Sequence, residues 1–195
     1  MTLRQRLLKR LYPVFLLIKK TGGKHHVLSN KQNIAPIKSI YELSVELSNG
    51  ETRSLAKYKG KKILFVNTAS DCGYTAQYAE LQTLYRHSRE DLEIIAFPSN
   101  DFKEQEKGSD DEIRQFCQSV YGVGFPLVKK SIVRKGENQH PVFQWLSQKE
   151  LNGWNDQPPG WNFSKYLVNE EGMLTHYFHP AVSPVSEEMI SAVHQ

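Results

Sequence analysis

The sequence predicts an α/β sandwich built on a mixed sheet, and three observations carry that prediction. An apolar run at 61–67 sits behind lysines, apolar residues at helical spacing follow at 76–87, and a second apolar run at 92–97 stops at Pro98. Strand, helix, strand in that order makes a right-handed βαβ unit. Toward the C-terminus, strand-like stretches at 163–168 and 173–178 flank the turn Asn169-Glu-Glu-Gly172, an antiparallel hairpin. Parallel and antiparallel pairing within 195 residues fits one mixed sheet in one domain.

The elements follow in order. Residues 1–20 place Leu3, Leu7, Leu11, Phe15 and Ile18 on one face of a helix, with Arg6, Lys9 and Arg10 around it. The apolar stretch 11–18 contains Pro13 and is far short of the roughly 20 residues a bilayer span needs. A signal peptide is the weaker reading, because Lys19-Lys20-Thr21-Gly22-Gly23-Lys24 stands where a small-residue cleavage site belongs. Two readings stand for the arm: an interfacial anchor on anionic lipid, or a segment that frays or packs on the domain. Residues 21–36, with Gly22-Gly23 and His25-His26, read as a linker. The boundaries expected are therefore 1–37 for a basic amphipathic extension with its linker and 38–195 for the folded domain.

Within the domain, 41–47 and 51–54 around Asn49-Gly50 predict a short hairpin on a type I′ turn. The run 61–67 is continuous rather than alternating, as in a strand covered on both faces. Tyr78, Leu81, Leu84 and Tyr85 define the inner face of the next helix. Ser109-Asp-Asp-Glu112 is a capping box opening a helix that runs through Val120 and is closed by Gly122 and Pro126. Residues 131–134 suggest a strand, 142–148 a short helix after Pro141, and 187–194 a closing helix.

Composition excludes several function classes. Cys72 and Cys117 are too few for a disulfide scaffold, and neither belongs to a Cys-x-x-Cys pair, so a reducing compartment, the cytoplasm, is expected. Residues 1–41 carry nine Lys or Arg and no acid, while the remainder carries 16 basic and 21 acidic residues. The body is acidic, so nucleic-acid binding, which needs a basic stripe on the folded surface, is not expected. His176 and His179 lie three apart on a predicted strand and face opposite sides, so no metal site is expected.

The chemistry points to Cys72. It lies between a buried strand and a predicted helix start, where unpaired N–H groups and the macrodipole favour a thiolate. Gly73 would let the backbone turn closely and Thr75 would cap the helix. A free thiol is only about 3% ionised at pH 7, and lowering its pKa by about two units makes the nucleophilic thiolate the majority form. The plain alternative is a small buried hydrophobe.

At these residues the chain resembles a known family. Asn67-Thr-Ala-Ser-Asp-Cys-Gly-Tyr-Thr75 is similar to the peroxidatic segment of the glutathione peroxidases. The likeness continues through Phe97-Pro-Ser-Asn-Asp-Phe-Lys-Glu-Gln-Glu-Lys-Gly108, Tyr121-Gly-Val-Gly-Phe-Pro126 and Gly160-Trp-Asn-Phe-Ser-Lys-Tyr-Leu-Val168. It spans about residues 38–195 and marks a bacterial-type member with cysteine at the reactive position. The resemblance implies a thioredoxin-like three-layer sandwich with a mixed central sheet and an N-terminal β-hairpin. It also implies a four-residue site: Cys72 as peroxidatic nucleophile, with Gln105, Trp161 and Asn162 as hydrogen-bond donors to sulfur and to the peroxide oxygens. Trp154-Asn155 lacks the following Phe-Ser-Lys and is the poorer match for the same motif.

The departures matter as well. Many members carry Gly-Gly before the Gln-Glu step, where this chain has Lys103-Glu104, and a cysteine where it has Ser99. Thioredoxin-dependent relatives hold a resolving cysteine on the helix that carries Cys117, at a spacing here shifted by one residue. Ile113, Phe116, Cys117 and Val120 form one apolar face, so Cys117 reads either as that resolving cysteine or as a core thiol. The short stretch 128–161 leaves little room for an oligomerisation insertion, so a monomer or small oligomer is expected.

The resemblance thus implies a thiol peroxidase that reduces hydrogen peroxide or organic and lipid hydroperoxides in oxidative stress defence. No bound cofactor is expected, and glutathione or thioredoxin is the implied reducing cosubstrate. Peripheral membrane contact is expected only through residues 1–20. The alternative is a peroxide sensor on the same fold that signals through Cys72 oxidation without efficient turnover.

Overall fold

The computed structural model describes residues 27–195. The amphipathic arm, and residues 21–26 of the stretch read as a linker, lie outside the described residues. A five-stranded sheet runs in the order β1 (Val27–Ser29), β7 (Leu174–Phe178), β6 (Lys165–Val168), β4 (Lys62–Thr68), β5 (Leu92–Pro98). Strand β4 (Lys62–Thr68) pairs in parallel with β5 (Leu92–Pro98) and antiparallel with β6 (Lys165–Val168). Strand β7 (Leu174–Phe178) continues the antiparallel side, and β1 (Val27–Ser29) pairs with it at the margin. The sheet is mixed, as the sequence predicts.

Strand β4 shows why its sequence is apolar without alternation. Leu64 and Val66 pack on one face with helix α1 (Gln77–Ser88), α2 (Asp110–Tyr121) and α5 (Glu187–His194). Ile63 and Phe65 pack on the other with α3 (Pro141–Leu146), near the small helix α4 (Lys149–Asn152). Both faces are dry, every residue of β4 is buried, and three layers result. Each fully buried Leu, Ile, Val or Phe contributes about 1.5–3 kcal/mol. The sheet is therefore the rigid platform from which the loops at its C-terminal edge are hung.

Helix α2 opens on the expected capping box. The Ser109 hydroxyl accepts from the Glu112 N–H at 3.3 Å, and the Glu112 carboxylate accepts from the Ser109 N–H at 2.8 Å. It closes at Gly122, whose φ of 63° is the left-handed conformation glycine adopts without cost.

Three expectations need correction. The stretch 21–36 is not all linker, because Val27–Ser29 adds a strand whose ladder to β7 begins ten residues ahead of Ile37. The hairpin of β2 (Ser44–Glu46) and β3 (Thr52–Ser54) forms, but its turn is not type I′. Gly50 alone has positive φ, 85°, and its N–H reaches the Leu47 carbonyl at 2.9 Å, giving a tight turn that ends in a left-handed glycine. Residues 131–134 form no strand. Their N–H groups are taken elsewhere: Ser131 donates to the Pro98 carbonyl at 2.9 Å, and Val133 and Arg134 donate to the Asp101 carboxylate at 2.6 and 2.9 Å.

Candidate active site

The chain leaves β4 at Thr68 and turns through 69–76 before α1 begins. Thr75 organises that turn. Its hydroxyl accepts from the Cys72 N–H at 2.9 Å and lies 2.9 Å from the Ala69 carbonyl and 2.8 Å from the Cys72 carbonyl. Being so engaged, Thr75 does not cap α1, whose first position follows Ala76 without a side-chain cap. Gly73 is also not a steric necessity: its φ is not positive, and a Cβ there would meet no atom within 4 Å. Gly73 lines the cavity beside Cys72.

Cys72 is 1% exposed. Its Sγ accepts the backbone N–H of Tyr74 at 3.4 Å, and the side-chain donors of Trp161 and Asn162 act on it to favour its charged form. The sulfur forms the wall of a cavity of about 360 Å³ that Gln105, Trp161, His179 and Pro180 also line. Asn162 is fully buried and donates its Nδ2 to Gln105 Oε1 at 3.0 Å. That bond fixes the Gln105 amide so that its nitrogen is the remaining donor. Cys72, Gln105 and Trp161, three of the four residues singled out in the sequence, line one cavity, and the fourth, Asn162, is bonded to Gln105.

Each donor is delivered by a segment tied to the sheet. Asn67 on β4 staples the 161–164 turn: its Nδ2 donates to the Trp161 carbonyl at 3.1 Å, and its Oδ1 accepts from the Ser164 N–H at 3.1 Å. Phe163 adopts φ of 68°, a conformation bulky residues avoid, and its N–H bonds to the Asn67 carbonyl at 2.6 Å. On the other side the Gln105 carbonyl accepts from the Asp71 N–H at 3.0 Å, and Ser70 Oγ donates to the buried Glu106 carboxylate at 3.0 Å. Lys103 and Glu104 keep positive φ, 54° and 51°, although neither is glycine. The loop that the Gly-Gly replacement called into question is thus held in a left-handed turn.

The electrostatics correct one expectation. Burial pushes the Cys72 thiol up from its ordinary value, outweighing the Tyr74, Trp161 and Asn162 donors, while the Asp71 carboxylate pushes it further up. The expected depression by a helix N-terminus fails on position: α1 starts at Gln77, and among the backbone N–H groups of the turn only that of Tyr74 reaches the sulfur. Behind the site, burial raises Glu106 to about 7 and lowers the fully buried Lys165 to about 7. Lys165 Nζ donates to the Val182 carbonyl at 2.7 Å, next to the cavity wall at Pro180.

Cys117 stands apart. It is fully buried on α2, does not line the cavity, and burial raises its thiol to about 12. Trp154-Asn155 is structural: Trp154 Nε1 donates to the Leu174 carbonyl at 2.7 Å, and Asn155 Nδ2 to the Leu146 carbonyl at 2.7 Å. His179, read from sequence as a strand residue, lies just beyond β7 and reaches the cavity wall. Asn67 and His179 are the contributors that sequence reasoning passed over. Asn67 stood inside the matched segment, but its partners are nearly a hundred residues away.

The family model described as glutathione peroxidase matches residues 40–147. A glutathione peroxidase homolog, BsaA, of Halalkalibacterium halodurans is 42% identical over 148 residues, covering 75% of this chain and 93% of that protein. A glutathione peroxidase of Lactococcus lactis subsp. cremoris is 41% identical over 152 residues, covering 77% and 94%. Among solved structures, that of Trgpx in apo form superposes with a TM-score of 0.62 at 28% identity, covering 82% of this chain and 97% of that one.

Proposed function

The chain belongs to the glutathione peroxidase family on a thioredoxin-like fold, and from that premise we propose that Cys72 is its peroxidatic residue, served by Gln105, Trp161 and Asn162. The protein is a thiol peroxidase of oxidative stress defence, an oxidoreductase that takes peroxide as its acceptor. The observation that carries the site reading is the convergence on one sulfur of donors from Tyr74, Trp161 and Asn162 beside a cavity shared with Gln105.

Cys72 loses its proton and Sγ attacks the terminal oxygen of the hydroperoxide. The S–O bond forms as the O–O bond breaks, sulfur is oxidised to sulfenic acid, and the leaving oxygen takes up the proton. Neutral donors from Trp161 and Gln105 hydrogen-bond the oxygen on which charge develops, and they add no charge that would repel the peroxide. Because burial holds the thiol protonated at rest, the rate rises with pH through the thiol's range.

The reductant we propose is an external monothiol of the glutathione kind. The sulfenic acid condenses with one thiol, releasing water, and a second thiol frees Cys72 as the external disulfide leaves. Cys117 is favoured less as partner because it is buried away from the cavity and α2 would have to unwind to present it. We assign catalysis to 38–195 and a cytoplasmic setting as a monomer or small oligomer. Among the described residues no helix is long and apolar enough to cross a membrane. Peripheral contact through 1–20 is proposed for the full chain only, and flotation with anionic vesicles before and after removal of those residues tests it.

The decisive assay is peroxide consumption with glutathione and its reductase beside thioredoxin and its reductase. Cys72→Ser is expected to lose at least about 10³-fold in turnover. Retained turnover in that variant overturns the assignment. Cys117→Ser is expected to leave turnover with glutathione unchanged, and a collapse would restore Cys117 as the resolving thiol.

A further inference from the structure

The cavity beside Cys72 is bounded on one side by a segment that belongs neither to the nucleophile turn nor to the donor segments. His179 and Pro180 supply that wall, just beyond the end of β7. Proline has no N–H, so Pro180 can be tied to the fold by hydrogen bonds only at its carbonyl. That oxygen accepts from Gln77 Nε2 at 2.7 Å and from Lys165 Nζ at 3.4 Å. Lys165 Nζ also donates to the Val182 carbonyl at 2.7 Å, and the Val182 N–H closes the turn on the His179 carbonyl at 2.9 Å. Ser183 Oγ donates to the Glu80 carboxylate at 2.7 Å and fixes the far end.

Gln77 on α1 and Lys165 on β6 are both fully buried. Among the described residues no carboxylate lies within 4 Å of the Lys165 ammonium, and both of its hydrogen bonds go to this turn. Gln77 Oε1 is buried with no partner among the described residues, so the single hydrogen bond of that amide is the one to the wall. Burying a cation without a counter-ion destabilises a fold. Here the whole of that cation is directed at two carbonyls of one turn.

We propose that Lys165, with Gln77 beside it, is a positioning residue for the oxidant: by gripping the Pro180 and Val182 carbonyls it sets where the His179–Pro180 wall stands, and so how well an organic hydroperoxide fits relative to hydrogen peroxide. Hydrogen peroxide needs only the sulfur and its donors, whereas an organic group must occupy the remaining space against the wall. The inference rests on the peroxidase reading and adds to it what selects the size of the oxidant. The grip is charge-assisted and therefore strongest while the ammonium keeps its proton. Burial lowers Lys165 to about 7, against the opposing pull of the Glu80 carboxylate on α1. The grip thus weakens as pH rises through that value. The other titratable groups around it are His179 on the gripped turn and Cys72 and Tyr74 across the cavity.

The test is the ratio of kcat/KM for cumene hydroperoxide to that for hydrogen peroxide, measured on the full chain at fixed saturating reductant from about pH 5.5 to about pH 8.5. Ionisation of Cys72 is common to both oxidants and cancels. In the unaltered chain the ratio is expected to fall about threefold as pH rises through about 7. Lys165→Met keeps the bulk and removes the donor. It is expected to lower the ratio about fivefold near pH 6, to leave the rate on hydrogen peroxide within about twofold, and to make the ratio independent of pH. Gln77→Met removes the other donor to Pro180 and is expected to lower the ratio about twofold while keeping its pH dependence, which carries the test if Lys165→Met fails to fold. A ratio that is flat with pH in the unaltered chain, or unmoved in Gln77→Met, overturns the proposal. So does a Lys165→Met protein that loses equally on both oxidants, or whose ratio still falls through the same range, which would assign the dependence to His179. Failure of the unaltered chain to consume either peroxide sinks the peroxidase reading instead.

Discussion

The turn that carries the sulfur and the segments that carry its donors are held in place by different means. Residues 69–76 contain no positive φ, and the Thr75 hydroxyl satisfies their backbone from within. The donor segments instead place Lys103, Glu104 and Phe163 in the left-handed region, where a residue other than glycine costs about 1–3 kcal/mol. The nucleophile therefore rests on a relaxed turn, while its donors are pressed toward it by backbone that only the surrounding packing keeps in shape. Such strain persists where the rest of the fold over-determines it. Here the staple from Asn67 and the tie from Ser70 to Glu106 supply that constraint.

The sharpest way to probe the contrast is to cut the link between the halves. Asn162→Ala removes one donor to Cys72 and the bond that fixes Gln105, and is expected to lower kcat/KM by about 10²–10³-fold. The thiol should titrate still higher, which ultraviolet absorbance of the thiolate against pH would read. A variant that loses activity without moving that titration would mean the donors act on the peroxide alone.

Glu106 provides the next test. Its carboxyl is 1% exposed and is raised to about 7 in the folded state, from an ordinary value near 4.5. The folded protein holds this proton more tightly than the unfolded one. Its contribution to stability therefore falls as pH rises from about 4.5 to about 7, and the penalty is fully present above that window. Glu106→Gln should remove that slope and raise stability at pH 8 by on the order of 2–3 kcal/mol, with little gain at pH 4.5. Urea unfolding at the two pH values measures it, and an equal change at both would show that Glu106 matters only as a packed hydrogen-bond acceptor.

The smallest effect expected is at the strained pair. Glu104→Gly relieves one left-handed residue and should stabilise the protein by about 1 kcal/mol, read as a higher urea midpoint at unchanged slope. A lower midpoint would mean the loop is at ease with its side chains, and the contrast between the two halves would disappear.

The same division decides what could be read in the sequence. Strand β4, helix α1 and the capping box of α2 announce themselves because periodicity and caps are local. Cys72, Gln105, Trp161 and Asn162 were legible as motif residues, and the fold brings them to one place. The direction of the Cys72 shift was not legible, because it depends on how deeply later segments cover the sulfur. Thr75 reads as a cap because its actual partners, Ala69 and Cys72, are just as near in sequence. Strand β1 is silent in the sequence for a simpler reason. Three residues of no marked pattern become a strand only because β7 offers them a partner.

That small strand governs how the chain can be shortened. A version beginning at residue 38 would lose the partner of His176, Tyr177 and Phe178 and leave a bare row of backbone donors and acceptors open to pairing with another molecule. Beginning at Val27 keeps β7 paired along that side and leaves only the three residues of β1 at the edge, so clumping confined to the shorter version would reflect the uncovered β7 rather than a loss of the arm.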